Sequence, residues 1–395
     1  MLEQPPESMR RVCITASGGP EVLVLDQDPL PFPGEDEVRV RLHAASINHL
    51  DIWIRNGTLP LPLPHTPGCD GAGVVDAVGD GVSGWRAGDR VVICPALGCG
   101  HCPACTHGDT QLCPEFAIVG VATPGCYADY VTLPARNLLA LPDSVSFEQA
   151  AALPVAGMTS WHLLMECARL QPGELVLVHG GGSGLGTFAI QIARLAGCRV
   201  LATCGGAEKC EHALDLGAEL AIDHSSERFV ERVQEISRGR GVDVVFDHVG
   251  AALFSDNMAS LATGGRLLVC GTTTGGDVEF NLRNLFTGQQ SIIGARLGGH
   301  RAFSALLAEV VKGRIRPVID GVFPLEQAAP TPAWASAATL ARWCSPWPDG
   351  RREYAALGCH PGGFPVSCSH RVEGLNSRSG AVASGAVWVV GAVCF

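Results

Sequence analysis

Lysine is almost missing from this chain. Lys209 and Lys312 are the only two in 395 residues, so 26 of the 28 basic residues are arginine. That bias is compositional and carries no chemistry of its own. A basic balance is missing too: the formal net charge is −11, which argues against a nucleic-acid partner. No apolar run reaches the ~20 residues a membrane span needs, and the nearest, residues 381–395, is too short. The start, Met1 to Arg11, is polar and carries Pro5-Pro6, unlike a signal peptide. Charged residues make up only 17% and apolar ones 47%, which fits a globular enzyme and excludes disorder. The 17 cysteines are many, but one cluster aside they stand singly in apolar surroundings. With no secretion signal, they predict a reduced, cytoplasmic protein.

What is present is organised around one glycine-rich turn, His179-Gly180-Gly181-Gly182-Ser183-Gly184-Leu185-Gly186. Glu174 to Val178 before it reads as a buried parallel strand. Thr187 to Ala196 after it repeats apolar residues at helical spacing, and Gly197 stops the helix. Strand, glycine turn and helix open a dinucleotide-binding fold. The glycines admit a pyrophosphate, and the helix N-terminus offers free N–H groups. Ser183 stands where the motif's middle glycine is expected. Roughly twenty residues past the turn, an acid would bind the ribose of NAD. The stretch there is Cys204-Gly205-Gly206-Ala207-Glu208-Lys209, with no acid at the strand end. Small residues and Lys209 suit a 2′-phosphate, so NADP(H) is favoured over NAD(H). Read otherwise, Lys209 is a solvated helix cation.

Strands near 175–179, 199–203, 220–222, 243–247, 266–270 and 291–295 alternate with helical stretches, which predicts an α/β, doubly wound parallel six-stranded sheet. Residues 10–150 are β-rich, with short runs split by turns such as Gly79-Asp80-Gly81, and read as a small barrel-like domain. Residues 302–313 read as a helix and Pro317 to Phe323 as a last strand. Cys99, Cys102, Cys105 and Cys113 have the spacing C-x2-C-x2-C-x7-C in a Gly/Pro-rich loop. Four thiolates so placed can close a tetrahedral structural zinc site, whose metal would supply the loop's folding energy. An iron–sulfur cluster is the rival, because C-x2-C-x2-C also begins ferredoxin motifs.

Together these features resemble the zinc-containing medium-chain dehydrogenases/reductases, which include alcohol dehydrogenases and quinone oxidoreductases. The carrying residues are Asn48-His49-Leu50-Asp51, Pro67 to Gly73, the four-cysteine lobe, Pro154 to Trp161, the glycine turn and Asp247-His248-Val249-Gly250. The resemblance implies a GroES-like catalytic domain over residues 1–150 with its zinc lobe at 94–113. It implies a Rossmann NADP-binding domain over 151–298, a return over 299–329, and catalysis in the cleft on small-molecule substrates. It further implies a homodimer or homotetramer. Catalytic-zinc ligands of the family fall at Asn48, Cys69 and Val155, of which only Cys69 ligates well. No catalytic zinc of the ordinary kind is expected, and Cys69 reads as a small core residue. A makeshift site from Cys69, Asp70, Asp51 and His49 is the rival reading.

Without that metal, the family's chemistry is reduction of activated double bonds, quinones or enoyl thioesters. Asn48 is then the candidate donor to a substrate carbonyl or the nicotinamide, with Asp51 orienting it or bonding backbone in its turn. His49 contacts pyrophosphate or is exposed. Thr159 resembles a nicotinamide contact. Loops at strand ends put His248, Val249, Cys270 and Gly271 at the cofactor crevice, with His248 either a proton donor or a loop histidine bonded to backbone. Some enoyl reductases of the family carry a Tyr after the glycine of this segment. Here Gly57 precedes Thr58, so solvent protonates the product.

After residue 329 the resemblance stops. Residues 330–395 hold no Lys, four of the seven Trp and no clear periodicity. They read as the product of a shifted reading frame, disordered or poorly packed, leaving an unpaired sheet edge, or as a genuine extension. Translating the coding DNA one base over restores the family's helix and strand if the first reading holds. Two other functions stay open: a zinc alcohol dehydrogenase with unusual ligands, and an inactive nucleotide-binding protein with a malformed end.

Overall fold

The computed structural model describes residues 6–328 and 387–390. The first domain is built on strands β1 (Ser8–Ile14), β2 (Leu23–Pro29), β3 (Glu37–Ile47), β4 (Asp70–Val78), β5 (Arg90–Ile93), β6 (Ala96–Leu97), β7 (Ala117–Ile118), β8 (Tyr130–Pro134) and β9 (Leu138–Ala140). β3 is its spine. It pairs antiparallel with β4 along one side and with β8 over residues 37–41 on the other. Val38, Val40 and Leu42 alternate inward and are buried, the period-2 pattern of a strand with one packed face.

The second domain holds β10 (Leu175–Val178), β11 (Arg199–Cys204), β12 (Leu220–Asp223), β13 (Val242–Asp247), β14 (Leu261–Val269) and β15 (Ser291–Gly294), all parallel, in spatial order β12-β11-β10-β13-β14-β15. All four β10 residues are buried, as a central strand covered by helices on both faces requires. The order reverses at β10, so the ligand crevice of such sheets opens above it. Ala44, Ala72 and Val92 of the first domain share one hydrophobic core with Leu153, Phe188 and Phe303 of the second. The expected helix runs His300–Val311, two residues early.

Two expectations are corrected at the C-terminal end. The last strand is shorter than Pro317 to Phe323: only β16 (Val322–Pro324) forms. Pro317 has no N–H to give a ladder, and pairing begins where a partner is present. That partner is β17 (Val387–Val390), which lies antiparallel to β16 and parallel to residues 45–47 of β3. The sheet edge expected to be unpaired is therefore covered there, by a Val-Trp-Val-Val run of high strand propensity. The rest of the atypical tail, and with it the shifted-frame reading, lies outside the described residues.

Candidate active site

The glycine turn carries β10 into the helix Gly184–Leu195. Ser183 explains its own departure from the motif: it is the N-cap, and its Oγ accepts from Gly186 N at 2.9 Å. Gly180 has φ +61°, and a Cβ on Gly186 would lie 2.1 Å from the Gly180 carbonyl oxygen, so neither admits a side chain. Lys209 lies across Gly182, where a Cβ would meet its stem at 3.1 Å. Gly206 (φ +88°) donates its N–H to Asp223 at 3.1 Å. An acid thus reaches the end of β11 after all, from the neighbouring strand.

Beneath the turn runs a buried polar chain. His179 Nε2 is 2.6 Å from Asn257 Oδ1 and Nδ1 is 2.9 Å from the Thr203 hydroxyl. A carbonyl oxygen only accepts, so Nε2 carries the proton and Nδ1 takes the hydroxyl's. Thr203 Oγ1 in turn accepts from Gly180 N, and Asn257 donates to Asp247. Burial lowers the His179 pKa and keeps the ring neutral. A cavity of about 360 Å³ beside this chain is lined by Thr203, His224, Arg228, Phe229, Val249 and Asp256 among others. The size and position suit an adenosine half.

On the other side of His248 lies the cleft between the domains, about 260 Å³, lined mostly by apolar groups. Asn48, His49, Thr159, His248, Thr273 and Arg296 supply polar side chains, beside Trp53, Ile118 and Leu297. Asn48 caps the helix His49–Asn56. Its backbone N–H donates to Asp51 at 2.7 Å, and its Nδ2 donates to Asp70 at 2.9 Å. Asp70 also accepts from the Ser46 hydroxyl (2.8 Å) and from Val155 N (3.0 Å), tying β3 to the second domain. Asp51 further accepts from Tyr127 OH (2.8 Å) and Gly68 N (3.2 Å). Burial pushes Asp51 up to about 6 and Asp70 up to about 7, against these hydrogen bonds. Burial likewise lowers His49 to about 4, with His248 adding to it.

The lobe is a separate centre. The sulfurs of Cys99, Cys102, Cys105 and Cys113 all lie within 4.8 Å of one another. Cys99 Sγ is 3.7 Å from Cys113 Sγ and 4.0 Å from Cys105 Sγ. A tetrahedral ion with Zn–S bonds of ~2.3 Å sets its sulfurs ~3.8 Å apart, so one ion fits and bridging sulfide does not. Backbone N–H groups of Cys99, Cys102 and Glu115 point at the sulfurs. The Cys99 thiol is lowered to about 6 by backbone N–H groups of His101 and Cys102. A second group of possible ligands, Cys99, His101 and Glu115, shares Cys99 and is exposed at the other two.

Residues 34–143 match the family described as alcohol dehydrogenase GroES-like domain, and residues 184–312 match zinc-binding dehydrogenase. Rat quinone oxidoreductase is 34% identical over 330 residues, covering 81% of this chain and 92% of the relative. The chain belongs to the medium-chain dehydrogenase/reductase superfamily. The crystal structure of an NAD-dependent alcohol dehydrogenase shares 43% identity at TM-score 0.78, covering 82% of this chain and 94% of that one. The cobalt- and zinc-bound thermostable alcohol dehydrogenase of Pyrobaculum aerophilum shares 33% at TM-score 0.76, covering 83% and 96%. Its relatives make this medium-chain protein an oxidoreductase.

Within this medium-chain cleft, Asn48, His49, Thr159, Leu185, His248, Cys270 and Gly271 come together. Val249 lines the neighbouring cavity of about 360 Å³ instead. The Asp51 carboxylate accepts from the Asn48 backbone, the second of the two roles expected of it, and Asp70 accepts from the Asn48 amide. Thr159 follows residues 154–158, which wind as a π-helix, and its Oγ1 donates to Val155 O at 2.6 Å. His248 is a loop histidine whose Nε2 donates to His179 O at 3.1 Å, with Ser183 Oγ at 3.2 Å. Cys69 is fully buried, and burial raises its thiol pKa well above the ordinary value. It joins no set of three ligand atoms with Asp70, Asp51 and His49 among the described residues. Arg228, His224, Asp256 and Arg296 had no local signal, since each is brought in by a separate part of the chain.

Proposed function

We propose that the chain reduces an activated double bond or quinone with NADPH, holding one structural zinc in its lobe. One observation carries this reading: the cleft presents a hydrogen-bond donor, Asn48, where its relatives' metal chemistry would require ligands. The Asn48 amide is fixed by Asp70, which leaves its second N–H for a substrate oxygen. An enone or quinone needs no more polarisation than that, because its own carbonyl withdraws charge. Mainly apolar walls suit such a flat ring. Arg296, stacked on Phe116 at 4.1 Å, adds a cation at the rim.

When bound, the nicotinamide supplies the hydride. The residues fit such a cofactor: the Gly180–Gly186 turn and the helix N-terminus behind it suit the pyrophosphate, and the cavity beside Arg228 suits adenosine. Lys209 on Gly182 favours the 2′-phosphate form. Cys99, Cys102, Cys105 and Cys113 fit the zinc. Assembly is proposed through β15, the sheet's outer strand. Ser291, Ile292 and Gly294 are exposed there, near Leu282 and Phe286, which are 67% and 66% exposed. A second copy pairing that edge covers both.

The test is a panel of quinones and enones with NADPH, run beside alcohols with NAD(P) and a chelator. NADPH oxidation on the panel is the expected outcome. Alcohol oxidation abolished by chelation overturns the reading in favour of a metal-dependent alcohol dehydrogenase.

A further inference from the structure

Residues His162–Cys167, on the segment that leads into the second domain, wind as a π-helix. The wider turn changes which side chains meet. In an α-helix residue i+4 lies beside i, while i+5 points away. The i→i+5 turn lets both reach the same neighbour. His162 Nδ1 is 2.6 Å from Glu166 Oε2, and His162 Nε2 is 3.4 Å from Cys167 Sγ. The other Glu166 oxygen is held by Arg301 Nε at 3.2 Å, and Arg301 reaches Asp109 of the cysteine lobe at 2.6 Å. His162 is buried, while Glu166 and Cys167 are half-buried. None of the three lines the cleft or the nucleotide cavity.

Carboxylate, imidazole and thiol in this order form the relay that activates a cysteine nucleophile. The acid fixes the ring and stabilises its charge, and the charged ring stabilises a thiolate. Charged groups facing the ring come from its own turn, Glu166 and Cys167, with Arg301 and Asp109 behind them. Burial works against the charge on His162, yet the bonds to Cys167 and Glu166 outweigh it and raise its pKa to about 9.

We propose that Cys167 is a nucleophilic modification site for soft carbon electrophiles, α,β-unsaturated carbonyls and quinones. The Cys167 Sγ lone pair forms a C–S bond to the electrophile's β-carbon. The C=C π pair moves to the carbonyl as an enolate, and the enolate takes the proton from His162 Nε2. Nothing leaves, and no oxidant or reductant is consumed. The site stands apart from the cleft and does not depend on reduction there.

The experiment uses the full-length, zinc-loaded protein and limiting N-ethylmaleimide from about pH 5.5 to 9, read by peptide mass spectrometry rather than by activity. Cys167 is expected to react ~10-fold or more faster near pH 7 than half-buried Cys210 and Cys270. His162→Gln is expected to lower the Cys167 rate ~10-fold, to that of Cys210 and Cys270, with zinc content unchanged. Glu166→Gln gives a smaller loss and serves if the first variant fails to fold. Equal rates at Cys167 and Cys210 in the unmodified chain overturn the proposal, as does a Cys167 rate that neither substitution lowers.

Discussion

Asn48 carries the reaction proposed for the cleft, and Asp70 decides where its amide points. Asn48→Ala is expected to lower kcat/KM for a quinone by about 100-fold, the scale of one lost oxyanion donor, while zinc per chain stays constant. Asp70 has its folded pKa raised to about 7, above the ordinary carboxyl value. Two consequences of opposite sign follow. Its proton is bound more tightly in the folded chain, so its contribution to stability is complete in acid and is lost as pH rises through 7. Its hold on Asn48 as an ionised acceptor strengthens over the same range. We expect kcat/KM to climb between about pH 6 and 8 while the melting temperature declines, and Asp70→Asn to flatten both profiles. A kcat/KM profile unchanged in that variant refutes the positioning role. At the other end of the cofactor, Lys209→Ala is expected to reduce the NADPH-to-NADH ratio of kcat/KM about tenfold, or ~1.4 kcal/mol. An unaltered ratio makes Lys209 a solvated helix cation.

Among elements, the lobe tests how much one ion contributes. Cys113→Ser removes one of four sulfurs that converge with little else to hold them. It is expected to lose the metal and several kcal/mol of local stability, read as zinc per chain and protease sensitivity within residues 98–116. The lobe was legible because its four cysteines fall within fifteen residues. The six parallel strands were legible for a like reason, each being a short apolar run between turn signals. The site's second layer was not. Asp51 is three residues from Asn48 and invited the orienting role. Register decides otherwise, since β3 and β4 pair Ser46 with Asp70 and set that carboxylate beside the amide. The chain from Thr203 through His179 and Asn257 to Asp247 joins two strands, the turn after β10 and a helix, so no local pattern announces it. Asn257→Leu leaves His179 without its acceptor and is expected to cost about 1–3 kcal/mol, measured by denaturant unfolding.

Over the whole molecule, two sheet edges determine what the chain becomes. Among the described residues β15 leaves one open, flanked by exposed apolar side chains. Phe286→Glu is expected to turn a dimer into a monomer in light scattering; a monomeric parent chain rules out that interface. The other edge is closed by β17, which pairs with β3 at Ala45–Ile47, just before Asn48. Val389→Pro removes a ladder donor there and is expected to weaken the first domain and the cleft together.

The lobe and the second domain also meet at a point with no slack. A Cβ on Gly299 would lie 2.2 Å from the Gly108 carbonyl oxygen and 2.7 Å from Thr110 N, and Arg301 N already bonds that same carbonyl. Positions 108–110 and 299–301 therefore share one inheritance. A lineage that shortens the loop releases position 299 to any amino acid, whereas one that keeps the four cysteines must keep glycine there. Gly299→Ala is therefore expected to disturb the cysteine lobe as well as the helix that begins at His300.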